Sequence, residues 1–274
     1  MSSASSKLKL WPSVFASKKV LKLKTKTEVR SSLPSGPENE CAYIIGDVHG
    51  CLSELLDLIE VIKIDSYRSD KVKNTHIVFL GDYIDRGPDS KGVLDFLVAF
   101  NPDFATPIYL SGNHEAVFKK ILEHDTATLP LWFNHGGRDC ARSYGVKNLG
   151  AVYHDPSSIF LQFENLVPKE HKNFLDSLKA SWVFGSYLCV HAGIKPGRKI
   201  RDQSFQDMIW IRDKFLNSKK IHEKIIVHGH SISSSPVFKK NRIGIDTGAY
   251  KTGVLSCLKI EGTEYSVLTN LSKQ

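Results

Sequence analysis

The chain has 274 residues, 41% of them hydrophobic and 24% charged, which suits one large globular domain or two small ones. Its formal net charge is +8, yet residues 1–36 hold eight basic side chains against one acid, Glu28, and so carry +7 of it. The remainder is nearly neutral and gives nucleic acid little reason to bind, and no apolar stretch approaches the ~20 residues that cross a bilayer.

Residues 1–36 mix lysine, serine and scattered apolar side chains (LKLWPSVF, KKVLKLK) and read as a basic, disordered tail. Its composition suits peripheral contact with an anionic surface, and it lacks the apolar core of a signal peptide. The folded domain is expected over 37–274. There AYIIGD (42–47), THIVFLGD (75–82) and TPIYLSGN (106–113) are short apolar runs ending in polar residues. Each precedes a helical pattern: 52–62, a Pro-started 88–100, and 114–124. Residues 125–180 read as helical throughout and are placed to cap a site. VFGSYLCVHAG (183–193), KIIVHGHS (224–231) and RIGIDTG (242–248) add further strand-like runs, and the last residues alternate like two paired strands. Such alternation predicts an α/β fold with sites beyond the carboxyl ends of its strands. Cys41, Cys51, Cys140, Cys189 and Cys257 form no CxxC pair, which predicts reduced thiols and a cytoplasmic protein.

Five polar clusters fall at those strand ends: GDVHG (46–50), GDYIDRG (81–87), GNHE (112–115), VHAG (190–193) and VHGHS (227–231). They supply Asp47, His49, Asp82, Asn113, His191 and either His228 or His230. Hard oxygen and imidazole donors without thiolate suit two divalent ions such as Mn, Fe or Zn. A carboxylate shared between two cations is the natural bridge, and Asp82 is the candidate. His114 is the candidate general acid, Asp85 the carboxylate that fixes its tautomer, and Arg86 a planar fork for phosphate oxygens. Each cluster alone has an ordinary reading as a turn or helix cap. Five in order, each after an apolar run, do not.

These blocks resemble the metallophosphoesterases, specifically the PPP phosphoprotein phosphatase family, over residues 42 to about 260. The resemblance implies a four-layer α/β/β/α sandwich with two mixed β-sheets. It implies that Asp47, His49 and Asp82 hold one ion, and Asp82, Asn113, His191 and His230 the other, leaving His228 in reserve. It makes His114 with Asp85 the acid pair, Arg86 and Arg212 the phosphate-binding arginines, and Tyr250 a residue over the site. The implied reaction is in-line hydrolysis of phosphoserine or phosphothreonine in proteins by a metal-bridging hydroxide. Ser111 in place of an arginine, DTGAY in place of SAPNY, and VHAG in place of HGG resemble the bacterial and phage branch. The regulatory subunits of the eukaryotic enzymes are therefore not implied.

Diadenosine tetraphosphatases share GDxHG and the metals, but tend to read GNHD and to lack the acid that here is Asp85. Nucleases of the wider group end in Gly-His-x-His, where this chain has Gly229-His230-Ser231-Ile232. A phosphopeptide-binding module without catalysis would have no need of both His114 and Asp85.

Overall fold

The computed structural model describes residues 33–68 and 72–270. The basic tail and its surface contact lie outside the described residues except at its end. There Ser186 N donates to Ser35 O and Gly36 N to Gly262 O, each at 2.8 Å, so Ser35 and Gly36 belong to the folded body.

Among the described residues ten strands form two five-stranded sheets. The first five are β1 (Glu40–Ile45), β2 (Asn74–Phe79), β3 (Thr106–Tyr109), β4 (Ser181–Phe184) and β5 (Tyr187–Val190). The others are β6 (Ile225–His228), β7 (Val237–Phe238), β8 (Arg242–Gly244), β9 (Ser256–Glu261) and β10 (Glu264–Thr269). One sheet runs β10-β9-β1-β2-β3 and the other β4-β5-β6-β8-β7. β1, β2 and β3 are mutually parallel, as are β5, β6 and β8, with antiparallel strands at the edges. VFGSYLCV, read as one run, is instead the β4–β5 hairpin, because the chain turns at Gly185 and Ser186.

The alternation of side chains along each strand builds the layers. From β1 and β2, Ala42, Ile44 and Val78 enter a core shared with Cys189, Val227 and Ile243 of the facing sheet. The alternate positions, Tyr43, Ile45, Ile77 and Phe79, meet helices outside the first sheet. On the far side Leu188, Val190 and Ile226 pack against Met208 and Phe215. Sheet faces sheet with helices on both outer surfaces, so the four-layer sandwich is what forms.

The first outer layer holds α1 (Leu52–Ser66), α2 (Ser90–Ala99) and α3 (Asn113–Leu122). It continues into the helical middle: α4 (Thr128–Trp132), a π turn (Phe133–Gly137), α5 (Arg138–Ser143), α6 (Pro156–Leu166) and α7 (Lys169–Ser177). α8 (Phe205–Trp210) and α9 (Asp213–Leu216) carry the residues of the opposite layer, and α10 (Ala249–Thr252) follows β8. α2 starts two residues after the expected proline because the Asp89 side chain caps it, accepting from Gly92 N at 2.8 Å.

Asp65 ties α1 to the first sheet. Its Oδ2 accepts from Tyr43 OH on β1 and Lys259 Nζ on β9, both at 2.9 Å. Burial raises its pKa, but the bonds from Lys259 and Tyr43 outweigh that and hold the carboxyl below its ordinary value. Asp65→Ala strands a buried hydroxyl and leaves the Lys259 ammonium only Glu261, at 3.2 Å, a loss of about 1.5–3 kcal/mol. The expected fall in Tm is roughly 3–12 °C for a domain of this size. A depressed carboxylate pKa stabilises above the unfolded value and stops doing so as pH falls through the folded one. The difference in Tm between wild type and variant should therefore close below about pH 4, and a pH-independent difference would refute the ionic origin.

Candidate functional site

The loops after β1, β2, β3, β5 and β6 meet at the carboxyl ends of the parallel strands. Glu115, at the start of α3, binds them together: its carboxylate accepts from Asp82 N at 2.8 Å, Tyr83 N at 2.7 Å and Gly112 N at 2.9 Å. Gly112 is required here, since a Cβ would lie 2.1 Å from Asp82 Oδ1. Val48 N and His49 N both donate to Asp82 O, at 3.1 and 2.8 Å, which brings the first cluster onto the second. His49, Asp82, Asp85, Arg86 and His230 all have positive φ, between 45° and 73°. Non-glycine residues in that region are strained, and such strain gathers where side-chain aim matters more than backbone comfort.

Among the described residues two groups of side chains with the geometry to hold a metal ion share Asp82: His49 with His114, and His191 with His230. His191 Nδ1 donates to Leu80 O at 3.0 Å, so Nε2 is the nitrogen able to exchange its proton for a cation. That Nε2 lies 3.0 Å from Asn113 Oδ1, 3.1 Å from His230 Nδ1 and 3.3 Å from Asp82 Oδ2. His49 repeats the arrangement, with Nδ1 donating to Ile84 O at 2.8 Å and Nε2 3.5 Å from Asp82 Oδ2. The buried Nε2 atoms of His49 and His230 have no hydrogen-bond partner. Convergent lone pairs on imidazole, amide and carboxylate, with their N–H groups turned outward, fit divalent cations.

The charges point the same way. Burial raises the Asp47 carboxyl well above its usual range, and the neighbouring Asp246 adds to the effect. Burial opposes ionisation of Asp82 too, but His191, His114 and His49 hold it well below. Burial lowers His49 to about 3 and His230 to about 2, whereas Asp82 and Asp47 overcome burial at His191 and bring it to about 9. A buried cluster rich in carboxylate calls for positive charge at its centre.

His114 Nδ1 meets Asp85 Oδ2 at 2.5 Å, and the same oxygen accepts from Trp132 Nε1 at 2.8 Å. Burial lowers the His114 pKa, but Asp82 and Asp85 outweigh it and raise the group. Its Nε2 lies 3.2 Å from Arg86 Nη2. The Arg86 guanidinium sits 5.1 Å from the Tyr250 ring centroid, and its Nη1 is 3.4 Å from Tyr250 OH. Arg86, Asn113, His114, Trp132, Trp210 and Arg212 line one cavity of about 420 Å³.

The sequence-predicted residues thus converge, with two refinements. Asp47 stands beside His230, whose backbone N–H it accepts at 3.0 Å, while His114 lies nearer to His49 and Asp82. His228, left open by the residues alone, points away, with Nε2 3.2 Å from Arg242 Nη1. Sequence reasoning missed Glu115 as the brace, Asp246 beside Asp47, and Trp132. The first two stand inside the GNHE and RIGIDTG stretches, and Trp132 opens WFNHGG, where paired glycines interrupt a helical pattern.

A family model described as calcineurin-like phosphoesterase matches residues 42–253. The symmetrical bis(5'-nucleosyl)-tetraphosphatase of Coxiella burnetii is 41% identical over 73 residues, covering 27% of this chain and only 22% of that protein. Serine/threonine-protein phosphatase 2 of Salmonella typhimurium is 26% identical over 232 residues, 80% of this chain and 92% of that one. A solved structure assigned as a diadenosine tetraphosphatase superposes with a TM-score of 0.56 at 19% identity. It covers 85% of this chain and 95% of that one, a likeness of fold.

Asp82→Asn should weaken binding of two divalent ions together, because one carboxylate faces both groups. His49→Asn and His230→Asn should each release one. Equilibrium dialysis with elemental analysis measures this, and retention of both ions by Asp82→Asn would remove its shared role.

Proposed function

The chain belongs to the calcineurin-like phosphoesterase family, and we propose that it is a phosphoprotein phosphatase acting on phosphoserine and phosphothreonine. The observation that carries this reading is the buried pair of His114 and Asp85, joined at 2.5 Å on the wall of the cavity. An alkoxide of serine or threonine is a poor leaving group and must be protonated as it departs. With Nδ1 committed to Asp85, His114 presents Nε2 to the cavity for that purpose. Arg86 and Arg212 line the same cavity and provide planar donors for phosphoryl oxygens, and Tyr250 steadies Arg86.

Asp47, His49 and Asp82 would hold one divalent ion, and Asp82, Asn113, His191 and His230 the other. Such ions, with manganese first in order of expectation, supply activation of water and neutralisation of phosphoryl charge. The carboxylates and histidines are buried away from bulk water, where their fixed charges act more strongly than they would in solvent. The alignment with the Salmonella phosphatase, which spans nearly all of that protein, supports the phosphoprotein reading. Among the described residues no helix is long and apolar enough to cross a membrane. The buried free thiols support a cytoplasmic location.

Hydrolysis of dinucleoside tetraphosphates is the second reading, favoured by the tetraphosphatase alignment and by the half-exposed ring of Trp210 on the cavity wall, which offers a base a stacking face. Metal-stripped protein given back manganese separates the two. Phosphate release from phosphoserine and phosphothreonine peptides, with diadenosine tetraphosphate untouched, is expected; the reverse pattern overturns the phosphoprotein reading. In the same assay His114→Asn should slow peptide hydrolysis by roughly 10²–10⁴ with metal retained. The loss should shrink for p-nitrophenyl phosphate, whose leaving group needs no proton, and an equal loss on both would argue against the acid role.

A further inference from the structure

We infer that Trp132 is a positioning residue for the proton donor, and that the helical cap it belongs to completes the reaction site from outside the metal-binding loops. Asp85 is fully buried, and its Oδ1 has no hydrogen-bond partner. The hydrogen bonds from His114 Nδ1 and the Trp132 indole N–H both end on Oδ2, with the Cys140 thiol also beside the carboxylate. A carboxylate held by one donor pivots about that bond. A second donor, fixed in direction, stops it.

Trp132 is rigid enough to serve. Its ring stacks on Phe118 with centroids 5.4 Å apart and planes at 27°, and meets Phe163 at 5.7 Å. Gly137 lies flat against it, where a Cβ would come within 2.2 Å of the indole. A buried tryptophan needs an acceptor for its N–H in any protein. A backbone carbonyl would satisfy that need, but the acceptor here is the one carboxylate that orients His114.

The same turn reaches the phosphate-binding side. Arg86 N donates to Gly136 O at 3.1 Å, and Gly136 has φ of 105°. A Cβ there would stand 2.5 Å from Arg86 Cγ, so the backbone approaches as closely as a glycine permits. One short stretch of the cap, residues 132–136, thus holds both Asp85 and Arg86. The cap is itself anchored, through Lys91 N to Ser143 Oγ at 3.1 Å and through Tyr144 OH, His171 and Asp95 in a chain of 2.7 and 3.0 Å contacts.

In the step concerned, water oxygen bonds to phosphorus, its protons staying on the phosphate formed, and the ester P–O bond breaks, its electron pair going to the leaving oxygen. The proton on His114 Nε2 passes to that oxygen, and Asp85 stays ionised. The inference rests on the proposed role of His114, and not on which phosphate ester is the natural substrate.

The test compares phenyl phosphate with p-nitrophenyl phosphate in Trp132→Phe. We expect kcat on phenyl phosphate to fall about 10- to 100-fold, a part of what a positioned acid is worth. On p-nitrophenyl phosphate the fall should stay under about 3-fold, with KM and metal content unchanged. In an Asp85→Asn background the same change should cost nothing further. Equal losses on both substrates, or an undiminished loss in that background, would overturn the inference. If Trp132→Phe does not fold, replacing Trp132 by benzothienylalanine exchanges only the N–H for sulfur, and the same outcomes apply. A wild type inert on both esters would sink the phosphatase reading instead. The Trp132 indole N–H proton resonance then decides: an upfield move in Asp85→Asn supports the contact, and an unmoved one refutes it.

Discussion

Asp82 is buried, its backbone has φ of 50°, and its Oδ2 faces His191 at 3.3 Å, His49 at 3.5 Å and His114 at 3.9 Å. Its backbone N–H and that of Tyr83 are taken by Glu115, so the aim of the carboxylate is set by a residue 33 positions later. Burying an anion costs several kcal/mol unless opposite charge meets it. The rest of the site can be understood as the means of meeting it. Histidines approach from three loops, the outer nitrogens of His49 and His191 fixed by carbonyls and that of His114 by the Asp85 carboxylate, and the remaining ring nitrogens turn inward.

That arrangement explains why the site needs two sheets. β1, β2 and β3 bring GDVHG, GDYIDRG and GNHE to one crest, while β5 and β6 bring His191 and His230 from the facing sheet. Asp82, His191 and His230 come within reach of one another only where the two sheets meet. The interleaved apolar core, with Ile44 and Val78 against Val227 and Ile243, is what keeps the two crests in register. Function is therefore coupled to the central core more tightly than to the outer helices. The exception is the cap, whose Trp132 and Gly136 reach Asp85 and Arg86 directly.

The strained backbones at His49, Asp82, Asp85, Arg86 and His230 fit the same picture. Each costs of the order of 1–3 kcal/mol. They persist because backbone N–H groups are captured by fixed acceptors: Asp82 by Glu115, Arg86 by Gly136 and His230 by Asp47. Strain of this kind holds side-chain direction against thermal motion, which a site built on several loops would otherwise lack.

Much of this is legible in the amino-acid sequence by itself. Apolar runs ending in Asp, Asn or His beside glycine mark the strand ends, the α/β class and nearly every polar residue of the cavity. Those features are local: a strand's period, a glycine's freedom and a ligand's chemistry are carried by a few adjacent residues. Tertiary structure alone decided the rest. His228 and His230 are chemically identical in the sequence, and only the direction of β6 turns one towards Arg242 and the other towards His191. The β4–β5 hairpin, the approach of Asp246 to Asp47 and the Trp132 bond to Asp85 depend on which surfaces pack together. Contacts between residues so far apart in the chain leave no periodic mark, because burial, and not spacing, brings them within reach.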